Sequence, residues 1–151
     1  MKSKQAMLRV LLDTSFILPS LGIDTGEEIL KGLKKLIDIE AEIHYSRFSI
    51  LESLWVVARL IKSKTFDIGS FRLGLRSILE SGRYKEVDEN YETFNEALNL
   101  YMLGHKDMID NILYANSVHL NLKLLTLDNE LKDFIRNKGL KDNIISSDQI
   151  T

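Results

Sequence analysis

The chain has 151 residues, a formal net charge of −2, one proline and no cysteine. Without cysteine there is no thiol nucleophile, thiolate metal site or disulfide framework, and a chain of this length can bury a core without such staples. No run approaches the roughly 18 apolar residues of a membrane helix, and the start Met1–Met7, followed by Arg9 and Asp13, is a poor signal peptide, so a cytoplasmic protein is expected.

Taken in order, Leu8–Leu12 is a short apolar run that predicts a buried strand, with Asp13-Thr14-Ser15 as its exit and Pro19 in the loop beyond. Thr25-Gly26-Glu27-Glu28 reads as a capping box opening a helix over 26–37. Glu42–Tyr45 alternates and predicts a second strand, followed by helices over 47–62 and 68–81, the latter capped by Asp67 and ended near Gly82. Tyr84–Val87 is a third strand. Helices over 89–103 and 106–120 are separated by Gly104. Lys123–Leu127 is a fourth strand, 129–137 a helix ending before Gly139, and Asn143–Ser146 a last short strand. Strands alternating with helices predict an α/β fold with a mainly parallel sheet. No linker or repeat interrupts the chain, so one domain over 1–151 is expected, with residues 1–6 as a flexible tail.

Five acids, at four places along the chain, stand where they invite chemistry. Asp13 and Asp128 each come directly after an apolar strand, and open α/β sheets bind ligands at the carboxyl ends of their strands. Asp128 would also cap the next helix. Glu52 lies in a stretch, Ile50–Ile61, where nine of twelve residues are apolar; such a helix reads as buried on most sides, and a carboxylate there needs a partner, Arg59 or a metal. Asp107 and Asp110 share one side of a helix; a first-turn role accounts for Asp107 better than for Asp110. Two carboxylates about 4 Å apart repel by roughly 4 kcal/mol at an effective dielectric of 20, so a cluster of four needs a cation or shifted pKa values. Oxygen donors without cysteine suit Mg²⁺ or Mn²⁺.

Between Arg59 and Lys85 seven basic residues face two acids, a local +5 that leaves −7 for the rest of the chain. Such a segment could steer a polyanion toward a metal site or be a solvated helix face. Trp55 and its neighbouring leucines read as core, and so does the stripe Tyr91, Phe94, Leu98 and Tyr101, which could instead meet a partner. The eight glycines form neither GxGxxG nor a Walker loop, and Ser15 stands where a haloacid-dehalogenase-type phosphatase needs its second aspartate. His44, His105 and His119 lack ligand-like spacing.

In order and spacing, Leu11-Leu12-Asp13-Thr14-Ser15, Glu52, Asp110 with Ala115 and Ser117, and Leu125-Thr126-Leu127-Asp128 resemble the PIN-domain ribonucleases, most of all the small VapC-like members. The resemblance runs from about residue 8 to 146. It implies a three-layer α/β/α fold and an Mg²⁺/Mn²⁺-dependent endoribonuclease, which leaves a 5′-phosphate and a 3′-hydroxyl. Asp13 and Asp110 would be direct ligands, Glu52 and Asp128 ligands or orienters of water, Asp107 a secondary acid, and Thr14 or Thr126 a hydroxyl near the metal. Arg47, Arg59, Lys62, Lys64, Arg72 and Arg76 would meet the RNA. Implied partners are an antitoxin protein and a second copy of the chain. An inert PIN-like module that binds RNA or protein, and a processing nuclease that is not a toxin, are the alternative readings.

Overall fold

The structure, a computed structural model, describes residues 7–150; the tail expected over residues 1–6 lies outside them. Five short strands form one parallel sheet: β1 (Arg9–Leu12), β2 (Glu42–Tyr45), β3 (Tyr84–Glu86), β4 (Lys123–Leu125) and β5 (Ile144–Ile145), in the order β3-β2-β1-β4-β5. Side chains alternate across the sheet. Val10 and Leu12 therefore enter one core, with helices α1 (Thr14–Ile17), α2 (Glu27–Asp38), α3 (Arg47–Leu60) and α4 (Ile68–Glu80). Leu11 enters the other, with α5 (Tyr91–Met102), α6 (Met108–His119) and α7 (Asn129–Asn137). Leu125 and Leu124 divide between the cores in the same way, which is why both central strands read as continuous apolar runs. The three-layer α/β/α arrangement agrees with the sequence reading. Among the described residues, no helix is long and apolar enough to cross a membrane.

The chain builds β1, β2 and β3 outward on one side, then returns to lay β4 against the other side of β1. The connections after β1 and β4 thus diverge, and this switch opens a crevice at the carboxyl ends of the two central strands. Leu12 registers with Leu125, and the Asp13 amide donates to the Leu125 carbonyl at 3.0 Å.

Several local expectations are corrected. The exit from β1 is not a loop: Asp13 caps α1, and a 3-10 turn over Leu18–Leu21 carries Pro19 near its start. Thr25 does not cap α2; its hydroxyl donates to the Ser15 carbonyl, and Gly26, at φ 107, takes the cap position without a side-chain bond. Strand β4 stops at Leu125, and the hydroxyl of Thr126, just beyond it, donates to Asp13. Glu89 lies outside α5, whose cap is Asn90.

Trp55 and the leucines beside it are not core. Helix α3 meets the rest of the molecule through Ser49, Ser53 and Val57, while Leu51, Leu54 and Trp55 are exposed. The small stripe wins because it lets the helix approach closely, and Ser53 satisfies its hydroxyl on the Ser49 carbonyl. The stripe Tyr91, Phe94, Leu98 and Tyr101 is also exposed, since α5 packs on α6 through Thr93, Ala97 and Leu100. A three-and-four spacing marks both stripes of such a helix and does not say which faces inward. Close approach also explains Gly74 in α4: a Cβ there would lie 2.1 Å from the Ser20 carbonyl oxygen.

Candidate acidic site

Four elements bring acids to the crevice. Asp13 leaves β1; its Oδ1 accepts from the Thr14 amide at 2.6 Å and its Oδ2 from the Thr126 hydroxyl at 2.8 Å. Asp128 lies just past β4 and caps α7, accepting from the amides of Glu130 and Leu131. Its own amide donates to Thr126 Oγ1 at 3.0 Å, so Thr126 links both strand exits. Asp107 caps α6 by accepting from the Asp110 amide, and Asp110 sits in the first turn of that helix. Glu52 is half-buried on α3 and forms no ion pair with Arg59 among the described residues.

Asp13, Glu52, Asp107, Asp110 and Asp128 line one open polar cleft of about 370 Å³, with Ser15 and Leu127. Burial pushes the Asp13 carboxyl up to about 6, against the bonds from Thr126 and Thr14, with Glu52 and Asp128 adding repulsion. Asp110 is raised further, to about 9: burial is the main cause, followed by the neighbouring Asp128 carboxyl and the charges of Asp13 and Asp107. Such mutual perturbation requires the groups to be neighbours. Glu52 belongs to the cleft through the charge it shares with Asp13, and not through burial in an apolar helix.

Among the described residues, no three acids stand in an arrangement ready to hold a metal ion. The donor chemistry fits a hard divalent cation, however. The cleft offers carboxylate oxygens and no soft ligand, and the repulsion raising Asp13 and Asp110 is the charge such a cation would offset.

Residues 10–137, most of the chain, match the model of the PIN domain family. The chain belongs to the PIN-domain family. Solved structures similar to this PIN domain include VapBC2 from Rickettsia felis bound to a DNA fragment from its promoter, at 15% identity and a TM-score of 0.63, covering 92% of this chain and 97% of that one. PAE2754 from Pyrobaculum aerophilum is similar at 17% identity and 0.63, covering 93% and 90%. FitAcB from Neisseria gonorrhoeae is similar at 16% and 0.59, covering 93% and 99%. At these identities the likeness concerns the fold. No curated protein matches the chain.

The basic residues of the PIN domain divide. Arg47 pairs with Glu86 at 3.1 Å and approaches Glu89 at 3.9 Å, and Arg76 pairs with Glu80. Arg59, Lys62, Lys64 and Arg72 are exposed and form no ion pair among the described residues. Two further buried polar groups, those of Glu89 and Asn111, have no role assigned from the sequence. The Glu89 side chain, 3% exposed, accepts from Ser46 at the start of α3 and from Asn116 on α6, and so ties together the helices that carry Glu52 and Asp110. Asn111 bonds both the His105 ring and its carbonyl, fixing the turn that leads into α6. Asn111 and Asn116, fully buried on α6, are the residues through which the sequence could have pointed to them. The Thr14 hydroxyl, beside Asp13, is buried and has no hydrogen-bond partner among the described residues.

Proposed function

We propose that this PIN-domain protein is an Mg²⁺- or Mn²⁺-dependent endoribonuclease and the toxin of a toxin–antitoxin pair. The observation that carries the reading is the meeting of Asp13, Glu52, Asp110 and Asp128 in one cleft at the switch point of the sheet. Membership of a family whose members are generally nucleases supports it, and the toxin role draws on neighbours solved as toxin–antitoxin complexes.

In this reading the four acids hold the cation, Asp13 and Asp110 most directly. When bound, a divalent cation supplies positive charge against the attacking and leaving oxygens of an in-line displacement at phosphorus. Thr126 holds the Asp13 carboxylate in one orientation from across the crevice. Asp107 spends an oxygen on the Asp110 amide and acts mainly as a cap. Asp110, whose carboxyl is held up by burial and its acidic neighbours, would have to be deprotonated to serve as a ligand. The exposed cations Arg59, Lys62, Lys64 and Arg72 offset the negative field of the acids toward an incoming polyanion.

The test is cleavage of a broad panel of end-labelled RNAs with Mg²⁺, Mn²⁺ or EDTA, using wild type, Asp13→Asn and Asp110→Asn. Metal-dependent cleavage that falls at least 100-fold in either variant is expected. No cleavage of any RNA, with Asp13→Asn indistinguishable from wild type, would leave an inert RNA- or protein-binding module. The toxin role is read separately: induced wild type should arrest growth and Asp13→Asn should not. Cleavage without arrest would point to a processing nuclease.

A further inference from the structure

A second cleft, of about 410 Å³, opens beside the acidic one and shares Ser15 and Glu52 with it. Its remaining wall includes Leu18, Trp55, Arg59 and Ile109. Trp55 is 63% exposed, so a large flat apolar face stands in water one helical turn from Glu52, the acid that lines both clefts. Glu52, Trp55 and Arg59 succeed one another at three- and four-residue spacing on α3 and therefore share one side of the helix. Over the seven steps from Glu52 to Arg59 the helix rises roughly 10 Å. The order along it is acid, indole, guanidinium.

That order selects an occupant. An apolar ligand alone would leave Arg59 unmatched, and a simple anion would leave the indole uncovered. A single-stranded polynucleotide matches both, because it alternates aromatic faces with negative charges on one flexible chain. In a duplex both faces of each base are already stacked, so only an unpaired base offers a face to an isolated indole. We propose that Trp55 is the stacking platform for an unpaired RNA base next to the phosphate engaged at the acidic cleft, with Arg59 contacting an adjoining phosphate. This assignment rests on the nuclease reading and narrows its substrate to RNA that is unpaired at the cleavage point.

Trp55 is the sole tryptophan of the chain, so its emission reports this cleft alone. Wild type is titrated with single-stranded RNA decamers of varied sequence and with blunt duplexes of the same sequences, in Ca²⁺ and again in EDTA. Saturable quenching by single strands, with a Kd at least ten-fold below that for duplexes in one or both conditions, is expected. In Mg²⁺ or Mn²⁺, Trp55→Ala should raise KM for single-stranded RNA about ten-fold, in line with the 1–3 kcal/mol typical of base–aromatic stacking, while kcat stays within two-fold. Trp55→Phe should recover most of that loss, and equal melting temperatures would show that the variants fold alike. Equal quenching by duplex and single strand, or an unchanged KM in Trp55→Ala, overturns the assignment. So does emission that ignores RNA but shifts with a protein partner, since the cleft is then a protein interface. Selective quenching without cleavage defeats the nuclease reading and leaves the stacking site standing; cleavage with unchanged KM does the reverse.

Discussion

Thr126 Oγ1 donates to Asp13 Oδ2 at 2.8 Å and accepts the Asp128 amide at 3.0 Å. One hydroxyl thus connects the exits of the two central strands and orients the most buried acid of the cleft. Asp13 has two bonds that favour its charged form, and this is one of them. Thr126→Val keeps the shape of the residue but leaves the Asp13 oxygen and the Asp128 amide unmatched. We expect it to destabilise the metal-free protein by about 1–3 kcal/mol, and to raise the Asp13 pKa further. Thr126→Ser should stay within about 0.5 kcal/mol of wild type, the ordinary scatter of mild substitutions. Urea unfolding at neutral pH measures both, and a Thr126→Val midpoint equal to that of wild type would show that the hydroxyl holds nothing.

The raised carboxyls set the direction of the pH dependence. Asp13 and Asp110 bind protons more tightly in the folded chain than in the unfolded one, so folded protein carries more protons above about pH 4. Stability in EDTA should therefore fall as pH rises, through about 6 for Asp13 and on toward 9 for Asp110. For buried Asp13 alone, two pH units correspond to about 3 kcal/mol at neutral pH. Below pH 4 the sign reverses, because Glu42, bonded to Lys85, Arg9 and His44, is held well below the usual carboxylate range and contributes stability only while ionised. Thermal melts from pH 4 to 9 should show the decline in wild type and a flatter profile in Asp110→Asn. Parallel profiles would mean that Asp110 is not the titrating group.

The strands and the acids at their exits are legible in the sequence because a parallel strand buried on both faces has a continuous apolar run, and the residue after such a run stands at the open end of the sheet. Asp13 and Asp128 are of this kind. Helix faces are not legible in the same way. In α3 and α5 the sequence offers two stripes, and the one with the smaller residues, Ser49-Ser53-Val57 in α3 and Thr93-Ala97 beside Leu100 in α5, faces inward. Composition ranks the large residues as core; close helix approach selects the small ones. Glu52 stands out in the sequence because its helix reads as buried, but it lies in the cleft through its place on the α3 surface. Glu89 is invisible there because its burial depends on partners 43 positions earlier and 27 later.

Glu89 and Asn116 yield a prediction about how that cleft is held. The Glu89 carboxylate takes one bond from Asn116 at 2.8 Å, one from Ser46 at 3.2 Å, and has Arg47 at 3.9 Å as its nearby cation. Asn116→Asp replaces a donor by a second carboxylate at nearly constant size. Breaking a buried charged hydrogen bond and adding like charge should cost about 3–5 kcal/mol at neutral pH. Part of this should return at mildly acidic pH as one of the two acids takes a proton. Glu89→Gln should rescue Asn116→Asp by more than half, since the pair then has a donor again. A double-mutant cycle by urea unfolding measures this coupling, and additive losses would show that the two residues act independently.

Cations and protons should compete for the cleft. A ligand that binds only the folded state stabilises it by about 2.7 kcal/mol at a hundred times its Kd. Mn²⁺ binding at Asp13 and Asp110 must displace the protons that these groups retain up to about 6 and 9. The rise in Tm on adding Mn²⁺ should thus be small at pH 5, larger at pH 7 and larger still at pH 8, as the proton is lost more readily. In Asp110→Asn the residual response should track Asp13 and level off above about pH 7, because no group near 9 remains to compete. Asp107→Ala removes a helix cap that accepts an amide bond, but leaves Asp13 and Asp110 as acids. It should lower stability at every pH by about 0.5–2 kcal/mol while preserving the Mn²⁺ response. Scanning calorimetry on the three proteins, with and without Mn²⁺, separates these roles. A response in Asp107→Ala as weak as in Asp110→Asn would make Asp107 a principal ligand, whereas a pH-independent response in wild type would mean that Mn²⁺ binds elsewhere.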